Sequence, residues 1–267
     1  NGRMNPAQLN AAALAKAYAR RDLSPVEVLQ AVTELTARHN PRINAFAVLD
    51  PRAVQQARES ERRWMAGRPL GPLDGVPVTI KDLIDVAGLP TRRGSRTTST
   101  TPAATDAPLV TGLRQGGAVL LGKTTTTEFG WKSPGDCPLH GITRNPWDTD
   151  TSSGGSSSGA AAACAAGFGP VHVGTDAGGS IRIPAAWCGV VGLKPSFGRV
   201  PQWPLGAFGH VAVAGPITRT VRDAALTLGV MARYDARDPF CLPDDARDWT
   251  AGLNDGVTGL RVCVLRR

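Results

Sequence analysis

The feature that most constrains the fold is an alternation, from about residue 70 onward, of short apolar runs with helical patterns. The apolar runs have the length of buried strands and are bounded by glycine-rich turns, at residues 76–80, 118–121, 171–173 and 190–193. Helical patterns separate or follow these runs, at residues 107–115, 158–166 and 220–231. Because strands alternate with helices, the sequence predicts an α/β domain around a mostly parallel or mixed sheet.

The first quarter of the chain has a helical pattern instead. A capping-box sequence with proline at the first helical position, SPVE at residues 24–27, predicts a helix that runs to about Arg38. A charged helix is expected at residues 51–66. We therefore predict an N-terminal helical region at residues 1–68 that packs on a core region at residues 69–267.

The last residues of the sequence carry one more strand pattern. Residues 259–265 alternate between apolar and other side chains, which predicts a strand. A sheet strand in this place indicates a fragment, in which the C-terminal part of the core is missing.

The formal net charge of +8 raises the question of an anionic partner. The excess comes from scattered arginines, without a long basic run. Only 5% of the residues are aromatic, so few side chains are available to stack on bases. The sequence therefore predicts a solvated basic surface and no nucleic-acid partner. Salt-sensitive retention on DNA would instead favour a basic binding module.

Cysteine usage and hydropathy limit the cellular setting. The five cysteines include no CxxC pair, which argues against a disulfide framework and against a zinc site. No run reaches the roughly 18 apolar residues of a membrane helix, and no secretory signal pattern is present. The prediction is a cytoplasmic protein without a membrane partner.

Residues 117–124 (GAVLLGKT) formally match the phosphate-loop pattern GxxxxGK[ST]. That chemistry needs a flexible loop whose amides surround the phosphates, whereas the four residues between the glycines are Ala-Val-Leu-Leu, the pattern of a strand. The preceding residues have a helical pattern. The sequence therefore predicts no nucleotide site here and a structural role for Lys123.

Two glycine-rich segments carry the candidate chemistry. Residues 154–159 (GGSSSG) run directly into a small-residue helix, so that hydroxyls and amide donors are exposed together, as an oxyanion requires. Residues 174–184 (GTDAGGSIRIP) follow a strand and present Ser180 after two glycines, a place for a nucleophile. None of the four histidines lies in a recognisable catalytic setting. Lys81, at the end of a buried strand, is the better base because burial lowers the pKa of a lysine.

These segments, together with residues 75–82 (GVPVTIKD), resemble three landmarks of the amidase signature family. Supporting matches lie around them, at residues 122–124, 128–129, 145–146 and 188–195. The resemblance implies a mixed or mostly parallel sheet covered by helices on both faces, and a catalytic core at residues 69–267. Residue 158 departs from the pattern, since a serine stands there in place of a glycine.

The resemblance also implies the roles of individual residues. Ser180 is expected to attack the amide carbonyl and form an acyl-enzyme, while Ser156, after a cis peptide bond, relays the proton to a neutral Lys81. The expected oxyanion hole consists of backbone amides, those of Ala177, Gly178, Gly179 and Ser180. No metal and no cofactor is expected.

Neighbouring residues have predicted supporting roles. Asp176 and Arg182 are expected to form an ion pair that holds the nucleophile loop in shape. Ser157 either hydrogen-bonds near Ser156 or fills space, and the sequence leaves both open. Trp131 and Trp187 are predicted to pack in the core.

The predicted activity is hydrolysis of a small-molecule amide, and two alternatives remain open. One is the glutamine-hydrolysing subunit of a tRNA-dependent amidotransferase. Residues 128–132 (EFGWK) differ from the Glu-Phe-Ala-Met segment that is expected in that subunit. The other is an inactive, truncated relative that only binds. The triad contacts only the carbonyl, so the acyl and amine parts of the substrate stay unspecified. Whether the protein forms a homo-oligomer also stays open.

Overall fold

A six-stranded mixed sheet forms the centre of the fold in a computed structural model, which describes residues 5–264. The helices of these residues are α1 (Ala11–Arg20), α2 (Pro25–Ile43), α3 (Ala53–Met65), α4 (Pro108–Gln115), α5 (Ser158–Ala165), α6 (Arg182–Cys188) and α7 (Val221–Met231). The strands of the central sheet are β1 (Phe46–Leu49), β2 (Pro77–Lys81), β3 (Val119–Thr124), β8 (Val171–Asp176), β9 (Val191–Gly192) and β10 (Val213–Thr218). Four short strands form two hairpin-like pairs beside it, β4 (Asp136–Cys137) with β5 (Gly141–Ile142) and β6 (Arg144–Asn145) with β7 (Asp148–Ser152). The predicted α/β class is confirmed.

The order of the central strands is β1-β3-β2-β8-β10-β9. The middle strand β2 pairs in parallel with both β3 and β8, and the outer pairs are antiparallel. The carboxyl ends of parallel strands meet at one edge of a sheet, which is where open α/β sheets bind ligands. Lys81, Thr124 and Asp176 end the three parallel strands and therefore lie at this edge.

Helices cover both faces of the sheet. On one face, α1, α2, α3 and α5 share an apolar cluster with Val119 and Leu121 of β3. On the other face, α4 and α7 share a second cluster with Leu120 and with the inward residues of β2 and β8. Residues of β3 alternate between these two clusters, as the period of a strand requires. No helix of residues 5–264 has both the length and the apolar character needed to cross a membrane.

Helix α5 lies unusually close to its neighbours because its residues are small. A side chain at Gly159 would collide with the backbone carbonyl of Ala45 and with Thr125. The helix contains four consecutive alanines, all fully buried. The glycine- and serine-rich sequence before it is thus the entrance to a buried helix, and it positions residue 156 against the sheet.

Several elements differ from the sequence-based prediction. The region at residues 1–68 is not purely helical, because Phe46–Leu49 forms the edge strand β1 next to β3. Helix α2 continues past Arg38 to Ile43, with Pro41 near its end. Strand β10 and helix α6 were not predicted. The division into two regions at residue 68 stays a prediction.

The predicted strand at residues 259–265 is wrong for the residues that the structure describes. Residues 259–264 form no strand and are exposed. A strand needs a hydrogen-bonded neighbour, and no strand of residues 5–264 pairs with this segment. Residue 265 lies outside the described residues.

Lys123 has the structural role that its sequence context predicted. Lys123 lies in strand β3. Its ammonium group is fully buried and lies 2.7 Å from a carboxylate oxygen of Asp82. The same group donates to the carbonyl of Pro90 at 2.9 Å and to the hydroxyl of Thr91 at 2.8 Å. Lys123 therefore ties the loop after β2 to β3.

Replacing Lys123 with methionine is expected to lower the free energy of unfolding by about 3–5 kcal/mol, because Asp82 stays buried without its counter-ion. Lys132→Met is the matched control. It breaks an exposed Lys132–Asp136 pair, 44% and 40% exposed, for which about 0–1 kcal/mol is expected. Urea denaturation measures both changes. Equal losses in the two variants would contradict the structural role of Lys123.

Candidate active site

Lys81 is the last residue of β2 and is completely buried. Its Nζ lies 2.7 Å from Oγ of Ser156, 2.9 Å from Oγ1 of Thr175 and 3.4 Å from the carbonyl oxygen of Thr175. Burial lowers the pKa of this amine well below its ordinary value, and the negative charge of Asp176 only partly opposes the effect. The arrangement thus favours a neutral amine that faces a serine hydroxyl.

Ser156 lies just before α5, and the peptide bond between Gly155 and Ser156 is cis. The residue is 1% exposed. Its carbonyl oxygen accepts a hydrogen bond from the amide of Thr127 at 3.3 Å. The preceding Gly154 has a positive φ of 74°, a conformation that favours glycine. The loop thereby brings the hydroxyl of Ser156 into contact with the end of β2.

Ser157 connects the two glycine-rich segments. Its amide donates to the carbonyl of Ser180 at 3.1 Å, and its hydroxyl donates to the carbonyl of Thr175 at 3.2 Å. The amide of Thr175 donates back to that hydroxyl at 3.2 Å. A side chain at Gly174 would collide with the same hydroxyl. Of the two roles that the sequence left open, Ser157 has the hydrogen-bonding one, with backbone partners.

Asp176 holds the loop that carries Ser180. Its carboxylate accepts from the amides of Gly179, Ile181 and Arg182 at 2.8, 3.1 and 3.3 Å. The guanidinium of Arg182 donates to both carboxylate oxygens, each at 2.9 Å. Burial by itself would raise the pKa of Asp176, but the Arg182 side chain and the three amides outweigh it and lower the pKa to about 2. The carboxylate is therefore ionised over the neutral pH range.

The predicted oxyanion hole needs one correction. The amide of Gly179 donates to Asp176 at 2.8 Å and so is not available to a substrate oxygen. The amides of Ala177, Gly178 and Ser180 have no such partner among the hydrogen bonds of the described residues. Only these three of the four expected donors remain candidates.

Ser156 and Ser180 line one open cleft, which we call the catalytic cleft. Ala177, Gly178 and Thr175 also line it, together with Trp131 and Phe208. The nucleophile, relay and oxyanion candidates of the sequence are therefore brought to one place, at the carboxyl ends of the parallel strands.

A family model described as Amidase matches residues 27–267. The chain belongs to the amidase family. The predicted resemblance is confirmed.

Among relatives, an acylamidase of Rhodococcus erythropolis is 46% identical over 95% of this chain and 54% of its own. A glutamyl-tRNA(Gln) amidotransferase subunit of Chloroflexus aurantiacus is 42% identical over 97% of this chain and 53% of its own. Among solved structures, the peptide amidase of Stenotrophomonas maltophilia has a TM-score of 0.85 and 37% identity, over 91% of this chain and 52% of that one. The chain spans about half the length of these amidase-family relatives.

The prediction that both tryptophans pack in the core of this amidase-family chain is wrong. Trp131 is 77% exposed and stacks on Phe208, with ring centroids 5.2 Å apart. Trp187 is 52% exposed. Trp131 follows a single helical turn at Glu128–Gly130, and Trp187 lies on the exposed side of α6, so neither belongs to an apolar cluster of the described core.

Thr175 is the site residue of this family member that sequence reasoning missed. The apolar run at residues 171–173 ends two residues before it, but β8 continues to Asp176. Val173 lies beside Ile80 in the parallel pairing of β8 with β2, so the next residues of β8 lie beside Lys81. The sequence would have placed Thr175 beside Lys81 only if the predicted strand at residues 171–173 had been extended by two residues.

We expect Asp176→Ala to lower the free energy of unfolding by about 3 kcal/mol, since the buried amides of Gly179 and Ile181 lose their acceptor. Arg182→Ala is expected to cost about 1 kcal/mol or less, since its side chain is 53% exposed. Asp176→Ala should also lower kcat more than it raises KM, because the loop of Ser180 loses its shape. Guanidinium denaturation and steady-state kinetics measure these effects. Equal losses of stability in Asp176→Ala and Arg182→Ala would contradict the larger role that we assign to Asp176.

Proposed function

We propose that this chain carries the catalytic machinery of an amidase, which hydrolyses a carboxylic amide C–N bond to a carboxylate and an amine or ammonia. The observation that carries the proposal is the contact of 2.7 Å between the buried amine of Lys81 and the hydroxyl of Ser156. Among residues 5–264 no acidic side chain contacts Lys81. Burial lowers the pKa of this lysine, which suits it to accept a proton near neutral pH.

The contacts of Lys81 accommodate the neutral amine that its burial favours. Such an amine has two N–H groups and one lone pair, and two oxygens of Thr175 lie in reach of the N–H groups. The lone pair then remains for the O–H of Ser156. Ser156 and Ser180 line the same cleft, and the proposed proton transfer from Ser180 to Ser156 needs a hydrogen bond that forms when substrate binds.

In the first half of the reaction, Ser180 Oγ forms a bond to the carbonyl carbon as its proton passes to Ser156 and that of Ser156 passes to Lys81. The amides of Ala177, Gly178 and Ser180 donate to the resulting oxyanion. The C–N bond then breaks, the proton returns through Ser156 to the leaving nitrogen, and an acyl-enzyme remains. A water molecule repeats the sequence in the second half and releases the carboxylate.

The test is hydrolysis of acyl p-nitroanilides by the purified chain. The release of p-nitroaniline is measured between pH 5 and 10. Activity is expected to fall as the pH drops below the lowered pKa of Lys81, because its ammonium form cannot accept a proton. A folded chain that hydrolyses neither acyl anilides nor glutamine would contradict the proposal and favour an inactive relative.

A second candidate is glutamine hydrolysis within an amidotransferase, and the 42% identity to a glutamyl-tRNA(Gln) amidotransferase subunit supports it. The two functions share the triad and differ in the acyl group. Ammonia release from glutamine is the discriminating assay. Hydrolysis of glutamine in preference to acyl anilides would favour this candidate over the acylamidase-like activity that we propose.

A further inference from the structure

An apolar cavity opens beside the catalytic cleft. Its walls are formed largely by apolar side chains, among them Leu83, Ile84, Leu109, Phe129, Trp203 and Ala214. Thr175, Phe208 and Ala212 line both the cavity and the cleft. Neither Ser156 nor Ser180 lines the apolar cavity, so a group that occupies it extends away from the reacting atoms.

The catalytic cleft and the apolar cavity suit different parts of an amide substrate. This step rests on the proposed function. Ser156 and Ser180 both line the open cleft, so the scissile bond lies there. The amine leaves first and needs the open side of the cleft, whereas the acyl group stays attached to Ser180 until water attacks. The geometry assigns the acyl group to the apolar cavity and the amine to the cleft.

The apolar cavity meets a third, polar cavity at Asp85 and Arg93, which line both. Among residues 5–264, neither side chain has an ion-pair partner within 4.0 Å. An apolar chain that extends past them must displace water from two charged groups, which is unfavourable. Asp85 and Arg93 therefore form an end wall that limits the length of the acyl group.

The backbone of Arg93 is held firmly in this position. Its amide donates to the carbonyl of Asp82 at 3.1 Å, and its carbonyl accepts from the amide of Phe129 at 2.8 Å. Asp82 directly follows Lys81, so the end wall is attached to the strand that carries the candidate base. Substitution of the side chain leaves both hydrogen bonds in place.

The cavity has a volume of about 80 Å³. An engineered cavity of about 150 Å³ holds a benzene ring. The apolar cavity therefore suits a short aliphatic group of about three or four carbon atoms rather than an aromatic ring. Its substrates are expected to be amides of short aliphatic acids.

A series of p-nitrophenyl alkylphosphonates with methyl to nonyl chains tests this assignment. Attack by Ser180 forms a P–O bond and expels p-nitrophenolate toward the amine side, so the alkyl chain takes the place of the acyl group. The rate of labelling, followed by intact mass, is expected to rise about fourfold per methylene up to propyl or butyl. It is expected to fall at least tenfold by heptyl.

Arg93→Ala removes half of the end wall and is expected to raise the ratio of heptyl to propyl labelling at least tenfold. Arg96→Ala is the matched control, because this exposed arginine lies in the same loop and lines neither cavity. A second variant, Ala207→Leu, narrows the apolar cavity at an exposed position and is expected to favour methyl over propyl.

This labelling experiment distinguishes a failure of the proposed function from a failure of the acyl assignment. If no chain length labels the wild-type protein, the proposed function fails and this inference fails with it. If labelling occurs but does not depend on chain length, or if Arg93→Ala has the same profile as Arg96→Ala, the proposed function stands and the acyl assignment is wrong.

Discussion

Ser180→Ala is expected to lower kcat for amide hydrolysis by about 10⁶-fold, the loss typical when a serine hydrolase loses its nucleophile. The substitution removes the only atom that we propose to form a covalent bond with the acyl carbon. The amides of Ala177 and Gly178 remain, so substrate binding and KM should change little. Release of p-nitroaniline from an acyl anilide, measured with high enzyme concentration, covers this range.

The fold should tolerate Ser180→Ala, because no hydrogen bond of the Ser180 hydroxyl is found within residues 5–264. Ser196→Ala, at an exposed position outside the cleft, is the matched control and should keep full activity. Denaturation midpoints of both variants should equal that of the wild type. A Ser180→Ala variant with more than about a hundredth of wild-type kcat would contradict the assignment of the nucleophile.

The second large effect is expected for Lys81→Met, with a loss in kcat of about 10⁴-fold from the missing general base. Methionine has a similar length and fits a fully buried position, but it has no lone pair for the proton of Ser156. Lys81→Arg should not restore activity, because a guanidinium stays protonated. Restored activity in the arginine variant would contradict a proton-accepting role.

Lys81 should also give stability an unusual pH dependence. The folded-state pKa lies well below the unfolded value, so unfolding takes up a proton at any pH between the two. The free energy of unfolding is therefore expected to rise with pH in that window, by up to about 1.4 kcal/mol per pH unit. Lys81→Met removes this contribution, so the stability of wild type relative to the variant should rise with pH through that window. A constant difference would mean that the folded state keeps Lys81 charged.

The residues of the candidate site could be predicted because each lies at a constrained point of the chain. Lys81 ends a run of apolar residues, and Ser156 and Ser180 each follow two glycines, so the sequence itself separates them from ordinary lysines and serines. The motifs could not predict which backbone amides of the Ser180 loop are already hydrogen-bonded within the protein. Gly179 has the same amide as its neighbours, and only the folded loop reveals that Asp176 occupies it.

The missed parts of the fold have physical reasons. Strand β10 contains Gly215 and Pro216, residues that disfavour a central strand, yet it pairs with β8 along its whole length. A side chain at Gly215 would collide with the carbonyl of Leu193, so the glycine is required by close packing that no local pattern reports. The opposite error occurred at residues 259–264, where alternation is present but a partner strand among the described residues is not.

The most direct test of an activated nucleophile at Ser180 is the intact mass of the protein after reaction with p-nitrophenyl propylphosphonate. We predict one adduct on the wild type, none on Ser180→Ala, and slow formation on Ser156→Ala and Lys81→Met, which lose the proton path. An adduct that persists in Ser180→Ala would place the nucleophile elsewhere. A folded wild-type protein that takes no adduct would contradict the proposed chemistry altogether.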